Sequence, residues 1–217
     1  MTKTKLCGIR DLRDVRLMNR YLPDYVGFVL AESRRRVGLD ALSGLIGALD
    51  PRIAPVGVFV NEEIRTVINA VESGIRVIQL HGEESQCYID ELREAIGEGA
   101  SKTGAEILLW KAIRLKDQTQ LEEAMAFKRI DGLLFDKYSG SAHGGTGEAL
   151  DWSLLEGVEM SVPLILAGGL SGRNVTEAIL RVKPFCVDVS SGIEVDGRKD
   201  EELVRGFLQK LEQYYIF

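Results

Sequence analysis

Residues 56–80 read VGVFVNEEIRTVINAVESGIRVIQL. The run Val56 to Val60 is short, apolar and rich in β-branched residues, which is how a strand with apolar surroundings on both faces reads. Asn61 follows as a helix-start signal, because its side-chain oxygen can accept from the unpaired N–H groups of a first turn. From Glu62 to Glu72 the residues Ile64, Val67, Ile68 and Val71 recur at the three- and four-residue spacing of one helix face. Val77 to Leu80 is then a second buried strand. A strand, a helix and a further strand in this order form a βαβ unit, whose strands run parallel through a right-handed crossover.

The same alternation extends in both directions. Strands are expected at Lys5 to Ile9, Tyr25 to Leu30, Val56 to Val60, Val77 to Leu80, Ile107 to Ile113, Gly132 to Asp136, Leu164 to Ala167 and Phe185 to Ser190. Helices are expected at Leu12 to Tyr21, Leu39 to Leu49, Glu62 to Glu72, Glu84 to Ile96, Asp117 to Phe127, Trp152 to Leu155, Asn174 to Val182 and Glu201 to Tyr214. Start signals stand at Asp11, Asp40, Asn61 and Asp117. Eight units in 217 residues fit the lean end of a closed (β/α)₈ TIM barrel, an α/β fold occupying residues 1–217 as a single domain. The competing architecture, an open doubly wound sheet, would normally show a glycine-rich dinucleotide turn after its first strand. Here that turn reads Cys7, Gly8, Ile9, Arg10, Asp11, without GxGxxG.

Composition narrows the function. The 33 acidic and 27 basic residues give a formal charge of -6 and are spread along the chain, so no broad cationic face exists for a nucleic acid. No apolar stretch is long enough to span a bilayer, and the N-terminus lacks the apolar core of a signal peptide, so neither membrane nor export is expected. Cys7, Cys87 and Cys186 are odd in number and far apart, which argues against a disulfide framework or a zinc site and fits a reducing cytoplasm.

In a closed parallel barrel the chemistry sits at the C-terminal ends of the strands. Cys7 ends the first, with a small buried hydrophobe as its bland alternative. The second leads into Ser33 and the run Arg34, Arg35, Arg36, either a solvated charge run or a clamp for a carboxylate. The fourth leads into Gln79 and His81, the latter more commonly a satisfied core histidine than a catalyst. Asp136 closes an apolar strand, where a carboxylate is costly unless it is paired or has a proton to carry; helix capping is its bland alternative. Trp110 and Trp152 read as packing. The turns after the last two strands are more specific. Gly168 and Gly169 let backbone N–H groups approach an anion, and Asp188, Ser190, Ser191 and Gly192 offer hydroxyls and further amides beside them. Together they occupy the position where such barrels bind phosphate, which implies a small phosphorylated substrate. The segment Tyr138 to Gly147, with His143 among glycines and serines, has the composition of a loop that closes over a ligand.

These residues resemble one family over the whole chain, that of phosphoribosylanthranilate isomerase. The resemblance rests on ordered blocks: Lys5 to Ile9; Val26 to Val29 with Ser33 and its arginines; Gly57 to Asn61; Gln79 to Glu83. It continues through Leu134 to Asp136, Gly144 to Gly147, Asp151 and Trp152, Leu166 to Leu170, and Val187 to Glu194.

The resemblance implies a cofactor-free, metal-free Amadori rearrangement in tryptophan biosynthesis, turning N-(5-phosphoribosyl)anthranilate into 1-(2-carboxyphenylamino)-1-deoxyribulose 5-phosphate. It implies Asp136 as general acid and Cys7 as general base, facing each other across one cavity. It further implies Arg35 on the anthranilate carboxylate, with Arg34 and Arg36 flanking it as alternative registers, and Gly168, Gly169, Asp188, Ser190 and Ser191 at the phosphate. Arg10 stands where many relatives carry Thr or Ser. A monomer or a homodimer is expected. The rivals are another phosphosugar barrel, such as an indole-glycerol-phosphate synthase or a pentose-phosphate epimerase, and a non-catalytic barrel that binds a phosphorylated metabolite. The synthase relies on a lysine at strand ends and the epimerase on metal-binding histidines, of which the chain has only His81 and His143 to offer.

Overall fold

The apolar runs form strands because neighbouring parallel strands and the helices outside them cover both of their faces. In chain order the elements are β1 (Lys3–Cys7), α1 (Leu12–Tyr21), β2 (Tyr25–Val29), α2 (Leu39–Gly47), β3 (Ala54–Phe59), α3 (Ile64–Glu72), β4 (Val77–Leu80), α4 (Gln86–Thr103) and β5 (Leu108–Leu115). There follow α5 (Gln118–Met125), β6 (Gly132–Lys137), β7 (Leu164–Leu166), α6 (Val175–Val182), β8 (Cys186–Val189), the short pair β9 (Glu194–Val195) and β10 (Arg198–Lys199), and α7 (Glu201–Tyr214). The computed structural model describes residues 1–103, 106–137 and 150–214, with side chains to residue 97 in the first stretch and to residue 213 in the last. Strands β1 to β8 close into a barrel in sequence order, as the alternation predicts.

The chain divides into two units. The first comprises residues 6–112 and 127–132. Within it β2, β3, β4 and the start of β5 pair in parallel, with Gly27 opposite Val56, Val58 opposite Gln79 and Gln79 opposite Trp110. Phe28, Phe59, Ile78, Leu80 and Trp110 are buried, and Tyr25 meets Trp110 edge to face at 5.0 Å between ring centroids. Helix α1 begins where Asp11 accepts from the amides of Arg13 and Asp14 at 3.0 Å.

The second unit comprises residues 1–5, 113–126 and 133–217. Here β6 pairs with β7 through Leu134 and Ile165, and β7 with β8 through Ile165 and Cys186. The start of β1 joins β8, since the amide of Lys3 donates to the carbonyl of Phe185 at 2.8 Å. Helices α6 and α7 pack against each other, and their residues Val175, Ile179, Val204 and Phe207 are buried. Asp117 accepts from the amide of Gln120 and starts α5 as expected.

Three local expectations are corrected. Helix α2 is preceded by Gly38 rather than by Asp40, which lies inside its first turn, and α3 is preceded by Glu63 rather than Asn61. Asn61 takes a left-handed conformation, φ 48°, and its side chain accepts from the amide of Glu83 at 2.8 Å, so it ties two loops together instead of capping a helix. The helix expected over Trp152 to Leu155 is a single 3-10 turn, Trp152–Leu154, in which Asp151 accepts from the amide of Ser153.

Candidate active site

Cys7 is the last residue of β1 and is 8% exposed. Gly27 on β2 explains how a sulfur fits there: a Cβ on Gly27 would stand 2.6 Å from Cys7 Sγ. The same glycine offers its carbonyl to the amides of Gly8 and Ile9, at 2.8 and 3.0 Å, and so fixes the turn after Cys7. Gly8 has φ 89°, a conformation that favours glycine. A thiol here sits at a strand end with its neighbouring backbone held, and as thiolate it is a base or a nucleophile.

Beyond β2 the chain turns at Ser33, whose hydroxyl accepts from the amide of Arg35 at 3.1 Å. Arg36 makes an isolated bridge to Val29, and its guanidinium pairs with the carboxylate of Glu32. Arg34 and Arg36 are exposed and Arg35 is half-buried. At the end of β4, Gln79 is buried and its amide nitrogen lies 2.9 Å from His81 Nδ1, while its amide oxygen is buried without a hydrogen-bond partner among the described residues. Beside this strand end the Glu84 carboxylate accepts from the amides of Asn61 and Gly82 and from Lys111 Nζ, at 2.7, 3.0 and 2.8 Å. Lys111 also donates to the carbonyl of Gly82 at 2.6 Å. Both charged side chains are almost wholly buried, so this pair sets the path of the loop that carries His81.

In the second unit Asp136 lies one residue before the end of β6, half-buried, and its Oδ1 accepts from the amide of Lys137 at 2.7 Å. Gly168 makes room for it: a Cβ there would stand 2.6 Å from the Lys137 nitrogen and 3.2 Å from Asp136 Oδ1. Gly168 and Gly169 both have positive φ, 83° and 73°, so the turn after β7 needs glycine twice in succession. Asn174 closes that turn from behind, accepting from the amide of Ser171 at 2.8 Å and donating to the carbonyl of Gly169 at 3.0 Å. The turn after β8 packs directly upon it, since a Cβ on Gly192 would lie 2.0 Å from the carbonyl oxygen of Leu170. Asp188, near the end of β8, accepts from Lys5 Nζ at 2.7 Å, with the lysine fully buried. Its other oxygen is buried and has no hydrogen-bond partner among the described residues.

Of the residues singled out from the sequence, Cys7, Gln79, His81 and Arg35 fall in the first unit, and Asp136, Gly168, Gly169, Asp188, Ser190 and Ser191 in the second. Each set lies at or just beyond strand ends. The segment 138–147, with His143, lies outside the described residues. Sequence reasoning missed Gly27, Asn174 and the buried lysines Lys5 and Lys111. A lysine interrupting an apolar strand was the available signal for the last two, since burial demands a partner. Among the described residues no cluster of His, Cys, Asp or Glu could hold a metal ion, and no helix is long and apolar enough to cross a membrane.

Known proteins are similar to this chain in sequence and in fold. Residues 4–210 match the sequence model of the N-(5'-phosphoribosyl)anthranilate (PRA) isomerase family. The chain is 41% identical over 212 residues to N-(5'-phosphoribosyl)anthranilate isomerase of Thermoanaerobacter pseudethanolicus, covering 97% of this chain and 98% of the relative. The crystal structure of phosphoribosyl anthranilate isomerase from Thermotoga maritima superposes with a TM-score of 0.84 at 33% identity, over 98% of this chain and all of that one. A second solved structure holds such an isomerase in complex with reduced 1-(o-carboxyphenylamino)-1-deoxyribulose 5-phosphate, with a TM-score of 0.78 at 31% identity over 98% and 100% of the two chains. With the family's sequence model matched over residues 4–210 and nearly the full length of the relatives covered, this chain belongs to the N-(5'-phosphoribosyl)anthranilate isomerase family.

Proposed function

We propose that the chain is a cytoplasmic isomerase, one catalytic domain over residues 1–217, that converts N-(5'-phosphoribosyl)anthranilate into 1-(2-carboxyphenylamino)-1-deoxyribulose 5-phosphate in tryptophan biosynthesis. The observation that carries the reading is the family match over residues 4–210. The chemistry asks for little else. Asp136 gives a proton to the ribose ring oxygen as the C1–O bond breaks, and the anilino nitrogen supplies the electron pair that forms the Schiff base. The Cys7 thiolate takes the proton from C2, and those electrons form the C1–C2 double bond of an enolamine while the nitrogen regains its pair. The C2 hydroxyl proton then leaves as C1 gains one, giving the ketone. Hydrogens move within one molecule, so no external oxidant or reductant is consumed.

Support for the two roles comes from the glycines opposite them. Gly27 and Gly168 each leave space that a side chain would fill, beside a thiol in one case and a carboxylate in the other. Ring opening needs an acid and removal of the C2 proton needs a base, and these two residues are of those types. Arg35 is assigned to the anthranilate carboxylate in preference to Arg36, whose guanidinium already pairs with Glu32. Gly168, Gly169, Ser190 and Ser191 take the phosphate. Asp188, itself an anion and held by Lys5, orders the loop rather than touching that group. Gln79 and His81 line the pocket.

The test is to supply the protein with anthranilate, phosphoribosyl pyrophosphate and the matching transferase and to follow the anthranilate-type fluorescence. Accelerated decay is expected on adding the chain. Decay at the rate without it would leave a phosphometabolite-binding barrel as the better description.

A further inference from the structure

The segment after β8 reads SSGIEVDGRKD over residues 190–200, and the assignment of the phosphate loop uses only its first two residues. The rest builds a small hairpin. Asp196 and Gly197 have φ 49° and 71°, which is the two-residue turn whose twist matches paired strands. That turn sets β9 against β10 with Lys199 directly opposite Glu194. The two side chains meet at 2.8 Å, and 1% and 4% of them respectively remain exposed. Asp200 closes the unit, its amide donating to the carbonyl of Ile193 and its carboxylate accepting from the amide of Leu203 in the first turn of α7.

A buried ion pair is a weak source of stability, because the cost of removing two charges from water cancels much of their attraction. Its geometry here has another use. Lys199 Nζ also donates to the carbonyl of Ser190 at 3.0 Å, the peptide that opens the loop after β8. A trans peptide is planar, and its C=O and N–H point in opposite directions. Holding the Ser190 oxygen on the hairpin side therefore turns the Ser191 N–H to the other side. That N–H has no acceptor among the described residues. The close approach of Gly192 to the Leu170 carbonyl keeps the same loop from sliding against the turn after β7.

We propose that Lys199, held by Glu194, is a positioning residue that locks the Ser190–Ser191 peptide with its N–H aimed at the phosphate of a phosphate monoester substrate. The proposal rests on the functional reading above for the identity of the ligand, but not for the device. Binding contributed by this N–H is made equally in ground and transition states, so its loss raises KM and leaves kcat in place.

Steady-state kinetics and the inhibition constant of inorganic phosphate are to be measured for the unmodified chain, Lys199→Met, Lys199→Arg and the doubly neutral Lys199→Gln with Glu194→Gln. Lys199→Met is expected to raise both KM and the phosphate inhibition constant about tenfold, with kcat within about threefold, the scale of one hydrogen bond to a charged group. Lys199→Arg should recover most of the loss. Where Lys199→Met does not fold, the double variant carries the test, because it leaves no buried unpaired charge; it should show the same rise. An unchanged KM and inhibition constant in the folded variants, or a fall confined to kcat, overturns the proposal. Phosphate binding read by calorimetry separates the two claims: Lys199-dependent binding in a chain that turns over no phosphoribosylanthranilate defeats the functional reading alone, and normal turnover with Lys199-independent binding defeats this one alone.

Discussion

Gly27 is more informative than its chemistry suggests. Its missing side chain is the space into which the Cys7 sulfur fits, and a Cβ at 2.6 Å from that sulfur forces one of them to move. With Cys7 as the proposed base, Gly27→Ala is expected to lower kcat about tenfold to a hundredfold, the cost of misplacing a reacting group by a fraction of an ångström to about 1 Å. An alanine variant with unaltered kcat would remove Cys7 from the mechanism. Direct replacement should be harsher. Under the proposed roles, Cys7→Ser and Asp136→Asn each remove a proton-transfer group worth about 10² to 10⁴ in rate, with the melting temperature expected to stay nearly unmoved. A variant keeping a tenth of the activity would show that the wrong group had been assigned. Tyr88 provides a pH handle away from this chemistry. Burial first, and then the charges of Glu84 and Glu62, push its phenol up from 10.0 to about 12, while its hydroxyl donates to the Glu62 carbonyl at 2.7 Å. A raised acid pKa favours the protonated folded form, so this contribution is whole below pH 10 and is lost as pH rises towards 12. Tyr88→Phe should cost about 1 kcal/mol near neutrality and lose that alkaline dependence, as urea melts at pH 8 and pH 11 would show.

At the level of elements, hydrophobic period and length located every strand of the barrel; helix α1 has both ends that the pattern predicted, and α7 starts where it predicted. Period reports which face is buried, and burial decides these elements. Capping is decided by a few ångströms of loop path, which period does not encode. Asp11 and Asp117 cap as expected because each directly precedes its helix, whereas Asn61 is drawn away by the Glu83 amide. Trp152 to Leu155 carried too few residues to tell a helix from a 3-10 turn, and Gly157 at φ 70° follows closely. The strand-end residues Cys7 and Asp136 were legible because a polar group closing an apolar run stands out. Gly27 was not, since a glycine's role depends on what faces it from another strand. The Lys111–Glu84 pair belongs to this scale, for it joins the loops after β3 and β4 to β5. Lys111→Met leaves Glu84 buried without its cation and should cost about 3 to 5 kcal/mol in denaturant titration. Adding Glu84→Gln should return part of that loss, and failure to do so would mean that lysine packing, not charge, matters.

For the whole molecule, a ligand that binds the folded chain and not the unfolded one raises its stability by mass action. A reduced product analogue at a hundredfold excess over its Kd should add about 2.7 kcal/mol to unfolding, visible as a single shifted melting transition. A melting transition left unmoved by the analogue would show that the folded chain does not bind it.

The Lys5–Asp188 contact spans 183 residues of sequence. At a synthesis rate of roughly 5 to 20 residues per second, Asp188 is made roughly 10 to 40 seconds after Lys5. The buried ammonium of Lys5 therefore gains this carboxylate only once the chain has been extended through β8. Contacts of this span carry a loop-closure cost before they are rewarded, so this ion pair is expected to form late in folding.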